Sequence, residues 1–157
     1  MQKVTPWLWF DTQAEDAANF YTSVFKNSRI LQVSHYGEAG PRPAGMVMTV
    51  SFELDGQQFV ALNGGPEFSF TEAVSFMVSC ADQDEVDYYW NTLTEGGQPG
   101  PCGWLKDRYG LSWQIVPTGM DEVLTGPDKE GAQRAFAAMM QMKKIDLAEL
   151  QRAYAGT

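Results

Sequence analysis

Twice along this chain a strand-like stretch reaches an aspartate, gives way to an amphipathic helix, and resumes as three strands. That repeat of element order restricts the fold more than any single motif does. In the first copy, Val4 to Phe10 reads as a strand rich in Trp and Phe, with Pro6 confining its start to a sheet edge. Asp11 and the capping box Thr12-Gln13-Ala14-Glu15 follow, and the helix places Ala17, Phe20, Tyr21, Val24 and Phe25 on one stripe. Arg29 to Tyr36 reads as the next strand. Met46 to Leu54 alternates with a period of two, Asp55-Gly56 is a two-residue hairpin turn, and Gln57 to Asn63 returns.

In the second copy, Glu72 to Cys80 is a strand. Asp82 and Glu85 cap a helix with Val86, Tyr89, Trp90 and Leu93 on one stripe, and Gly96-Gly97 ends it. A short segment near Gln98 to Pro101 leads into the hairpin CGWLKDRYGLSWQIVP, Cys102 to Pro117. Asp107 and Gly110 occupy the first and last positions of a type I turn. On the returning strand Ser112 and Gln114 share one face, opposite Leu111, Trp113 and Ile115. A polar pair with such aromatic flanking reads as a pocket wall. The two copies have little residue identity, so the repeat rests on element order.

After Pro117 the pattern becomes helical. Gly119 to Leu124 is a short turn of helix. Asp128 caps Lys129 to Met142, with Ala132, Phe136, Met139 and Met140 as an apolar stripe, and Asp146 caps a last helix through Tyr154. The fold class is therefore α+β: two βαβββ modules (about residues 1–66 and 67–117) form a domain over 1–117, and 118–157 is a C-terminal helical extension.

The 157 residues suffice for one such domain, and 44% hydrophobic content supplies its core. Twenty acidic against eleven basic residues leave a net charge of -9. That field repels phosphate backbones and anionic lipid, which argues against nucleic-acid and membrane-surface partners. No apolar run approaches the roughly 20 residues of a membrane span. The opening MQKVTPWLWFD lacks the apolar stretch of a signal peptide. With Cys80 and Cys102 the only cysteines, the expected setting is a reducing cytoplasm without a structural disulfide.

The motifs TPWLWFD, Phe20-Tyr21, LNGGPEFSF from Leu62, SFMVSCADQDEVDYYW from Ser75 and CGWLKDRYGLSWQIVP together resemble the PhnB-like branch of the vicinal-oxygen-chelate superfamily (glyoxalase, bleomycin-resistance and dioxygenase proteins). The resemblance covers residues 3 to 117, and the branch carries the label 3-demethylubiquinone-9 3-methyltransferase. It implies partial barrels whose cavities often hold a metal on four strand positions. Here those positions fall on Pro6 (or Thr5), Asn63, Ser75 and Gln114. Pro has no ligand atom and the others are neutral oxygen donors, a set that argues against a metal and leaves no cofactor expected.

Asn63, Ser75 and Gln114, with Trp104 and Cys102 at the hairpin, are the candidate ligand-binding residues; no catalytic residue is assigned. His35, the only histidine, reads as a surface or half-buried residue near a strand end. Neither Gly64-Gly65-Pro66 nor Gly96-Gly97 stands between a strand and a helix start, as a nucleotide-type methyl-donor site would require. The methyltransferase label has no support in these residues. Three functions stay open: binding of a small apolar or aromatic molecule in a metal-free cavity, metal-dependent lyase, isomerase or dioxygenase chemistry, and sequestration of a drug. The resemblance also implies a homodimer.

Overall fold

The computed structural model describes residues 2–157. The chain divides into two compact units, one running through Phe70 and the other from Thr71 onward. In the first, β1 (Trp7–Phe10), α1 (Ala14–Val24), β2 (Arg29–His35), β3 (Val47–Leu54) and β4 (Gln57–Asn63) give a sheet of order β1-β4-β3-β2. In the second, β5 (Ser75–Cys80), α2 (Gln83–Thr94), β6 (Gln98–Pro99), β7 (Trp104–Lys106) and β8 (Ser112–Pro117) give the order β5-β8-β7-β6. The order is the same in both: the first strand pairs in parallel with the last, and the remaining pairs are antiparallel. The expected α+β architecture of two βαβββ modules and a helical extension is present.

Each sheet buries one face under its own helix. In the first unit Val50, Phe52, Leu54, Phe59 and Ala61 meet Ala14, Ala17, Ala18, Tyr21 and Val24 of α1. In the second, Cys80, Trp113, Ile115 and Leu105 meet Val86, Trp90 and Leu93 of α2. Each fully buried side chain of this size contributes about 1.5–3 kcal/mol. The turn residues expected of the β3–β4 hairpin also appear, Asp55 and Gly56 both holding positive φ (49° and 83°).

Local chemistry differs from expectation in two places. Thr12 does not cap α1: the N-cap is Gln13 without a side-chain bond, and the Ala14 N–H donates instead to Asn63 Oδ1 at 2.8 Å. A buried amide from β4 thus serves where a local hydroxyl was expected. The second capping box does form, with Glu85 N–H donating to Asp82 Oδ1 and Glu85 Oε1 accepting from Ala81 N–H.

The second difference lies in the extension, α3 (Thr118–Leu124), α4 (Lys129–Met139) and α5 (Leu147–Ala155), which belongs to the second unit. α4 buries Gly131 and Ala135, while Phe136 and Met140 are 48% and 49% exposed. Small residues win the buried face because α5 crosses there closely, with Tyr154 O 2.6 Å from where a Gly131 Cβ would stand. The extension also holds β-strand loops. Met142 O and Lys143 O accept from the N–H groups of Cys102 and Gly103, each at 2.8 Å. Gln83 bonds Ile145 O and Leu147 N–H, and Lys144 pairs with Asp87.

Candidate functional site

Period-two alternation fixes what the open face of the second sheet displays. In register across it stand Ser75 (β5), Ser112 (β8), Lys106 (β7) and Gln98 (β6), and beside that row Met77, Gln114 and Trp104. The apolar partners Phe76, Trp113, Leu105 and Ile115 point the other way. A cavity of about 380 Å³ opens here, within the size range of small-molecule sites. Its walls include Glu72, Gln98, Cys102, Trp104, Lys106 and Ser112, with Pro99 and Pro101 beside them.

The turn of the hairpin is fixed by one buried carboxylate. Asp107, 2% exposed, accepts from the N–H groups of Tyr109 and Leu111 and from Trp113 Nε1, at 2.8, 3.1 and 2.9 Å. It thereby locks Trp113 to the core side, and the strand pleat leaves Ser112 and Gln114 on the cavity side. On that side Gln114 Nε2 donates to Ser75 Oγ at 2.9 Å. Lys106 Nζ pairs with Glu72 Oε1 at 2.8 Å, and the ammonium holds the Glu72 carboxyl below its ordinary pKa. Ser112, a residue only 1% exposed, has no hydrogen-bond partner for its Oγ among the described residues.

Cys102 lies on a strained corner of the wall, at φ +57° next to Gly103 at +84°. It is half-buried, and its Sγ lies 3.7 Å from Met140 Sδ. Cys80 differs: fully buried against α2, its thiol is pushed up to about 11 by desolvation and is no nucleophile.

Of the residues expected from the sequence, Trp104 and Cys102 line this cavity, while Ser75 and Gln114 lie on the same sheet face, bonded to each other, outside its wall. Asn63 belongs to the first unit. It is 3% exposed on the helix-covered face of its sheet, its Oδ1 taken by Ala14 N–H and its Nδ2 donating to Val47 O at 3.0 Å. Pro6 lies four residues before Phe10, the register partner of Asn63, so that pair does not converge. His35 is exposed at the end of β2. The expected donor set does not fit a divalent ion: one member lacks a donor, one is committed to backbone, and two neutral groups bond each other. Among the described residues no three His, Cys, Asp or Glu side chains are grouped to hold one.

Glu72 and Lys106 were not singled out by the sequence. The hairpin register carries Lys106 next to Ser112, whereas nothing in the local pattern marks Glu72, which precedes its strand.

Residues 2–116 match the family model described as 3-demethylubiquinone-9 3-methyltransferase. Among solved structures, the chain is similar to a putative 3-demethylubiquinone-9 3-methyltransferase, a PhnB protein, from Bacillus cereus. The two are 37% identical over 74% of this chain and 100% of that one, with a TM-score of 0.67. A protein from Pseudomonas aeruginosa is 18% identical over 74% of this chain and 98% of its own, at TM-score 0.62. A fosfomycin resistance protein from Listeria monocytogenes is 11% identical over 78% and 97%, at 0.52. The last two likenesses are of fold. No curated protein matches the chain.

Proposed function

Because the chain belongs to the family described as 3-demethylubiquinone-9 3-methyltransferase, the PhnB-like branch of the vicinal-oxygen-chelate superfamily, we propose that it binds a small apolar or aromatic molecule. The site is the cavity on the open face of the second module, and it works without a metal. The observation that carries this reading is the cavity wall itself. Trp104, Pro99 and Pro101 offer flat apolar surface beside Gln98, Ser112 and the Glu72–Lys106 pair. Ser75 and Gln114, at two of the positions that the superfamily resemblance assigns to metal ligands, bond each other at 2.9 Å. Methyl transfer finds no support here. The junctions from β1 to α1 and from β5 to α2 carry Asp11-Thr12-Gln13 and Ala81-Asp82, with no glycine to admit a phosphate or nucleotide.

Two measurements test the reading. Elemental analysis of protein prepared without chelator is expected to find zinc, nickel, iron and manganese well below one per chain. Small aromatic probes are expected to shift the Trp104 indole resonance, identified by its loss in Trp104→Phe. A stoichiometric ion removed by Gln114→Leu would return the metal-dependent lyase, isomerase or dioxygenase reading to first place.

A further inference from the structure

Resting on that reading, we infer that Ser112 is the polar anchor of the cavity, and that the bound molecule presents to it an uncharged hydrogen-bonding group such as a phenol-type hydroxyl or a carbonyl. A buried hydroxyl without a partner is destabilising, and folded chains rarely keep one that the fold does not use. Among the described residues, Ser112 Oγ is the buried side-chain polar atom left in this state.

Its neighbours do not offer the missing bond. Neither Ser75, in register on one side, nor Lys106, in register on the other, stands within hydrogen-bond reach of the Ser112 hydroxyl; Ser75 is turned to Gln114 and Lys106 to Glu72. Asp107 is turned to Trp113 and to its own turn. Ser112, though only 1% exposed, stands on a cavity wall beside Trp104, and a ligand group seated against that wall is the partner assigned to it. A hydroxyl can donate one bond and accept two, which suits a phenol or a carbonyl.

Charge narrows the class further. Glu72 and Lys106, the ionised groups on the wall, cancel as a pair. An anionic ligand would have to share Lys106 with the Glu72 carboxylate within a molecule of net charge -9. A cation would have to share Glu72 with the Lys106 ammonium in the same way. A neutral group meets neither obstacle, and Trp104 with the two prolines supplies stacking surface for a ring that bears it.

Three probes that share a tolyl body separate the possibilities: p-cresol, toluene and p-toluate, titrated by NMR into wild type and Ser112→Ala. Wild type is expected to bind p-cresol about 2–13-fold more tightly than either other probe, the range of one net hydrogen bond. Ser112→Ala is expected to erase that preference while toluene binding stays as it was, and to raise the melting temperature of the free protein by a few degrees. An unchanged preference in Ser112→Ala, or tightest binding by p-toluate, overturns the anchor and leaves the cavity reading standing. A fall in melting temperature together with an unchanged preference marks a structural hydroxyl and also overturns it. If none of the three probes moves the Trp104 resonance, the cavity reading falls, and the anchor falls with it.

Discussion

At the scale of single residues, polar side chains divide into those that serve the fold and those left to the cavity. Asp107 is the clearest of the first kind. Three donors converge on one buried carboxylate, so Asp107→Ala is expected to cost about 3–5 kcal/mol in urea unfolding. Asp107→Asn should cost less, because one oxygen still accepts. The two cysteines differ in the same spirit. Ellman's reagent is expected to modify Cys102 in the native protein and Cys80 only after unfolding. Burial raises the Cys80 thiol from near 9 to about 11, so the native state keeps its proton longer than the unfolded chain. Its stabilising effect is complete below pH 9 and is lost as pH rises toward 11. Melting temperature should therefore fall more steeply across that window in wild type than in Cys80→Ala. Asn63 and Ser112 show how far sequence reading reaches at this scale. Alternation put Ser112 with Gln114 on the face opposite Trp113, where the strand register has it. Asn63 was equally polar and equally strand-borne, but its use depends on Ala14, 49 positions away in sequence, which no local pattern reports.

At the scale of elements, period and turn chemistry carried most of the architecture: both hairpins, both module helices and the capping box at Asp82 follow from neighbours within about five residues. The helix α4 was legible as a helix and illegible as to face. An apolar stripe drawn by side-chain size picks Phe136 and Met140, whereas close helix crossing selects Gly131 and Ala135. Two effects of opposite sign meet at Gly131. Helix propensity favours Ala over Gly by about 1 kcal/mol. The added Cβ, however, would stand 2.6 Å from Tyr154 O, a backbone atom that cannot swing aside. Overpacking of that kind costs about 1–3 kcal/mol, so Gly131→Ala is expected to lower stability, and Gly131→Val to lower it further. A chemical melt in which Gly131→Ala gains stability would show that α5 yields freely.

At the scale of the whole molecule, several large apolar side chains remain open in the single chain: Trp7 and Met77 are each 59% exposed, and Phe136 and Met140 stand about one turn apart on α4. We expect a second copy of the chain to cover part of this surface. Sedimentation at micromolar concentration should then report a mass near twice 17.5 kDa, and a persistent monomer would refute it. Among the described residues no helix is long and apolar enough to cross a membrane. The bonds from Met142 and Lys143 to the Cys102–Gly103 corner also set an order in time. The first unit has all its strands by Asn63, while the cavity wall waits for residues 79 and 80 positions later to leave the ribosome. At about 5–20 residues per second, that interval lasts several seconds. A nascent chain stalled inside it would carry a finished first module and an unbraced pocket loop, the form in which chaperones and proteases are most apt to meet this protein.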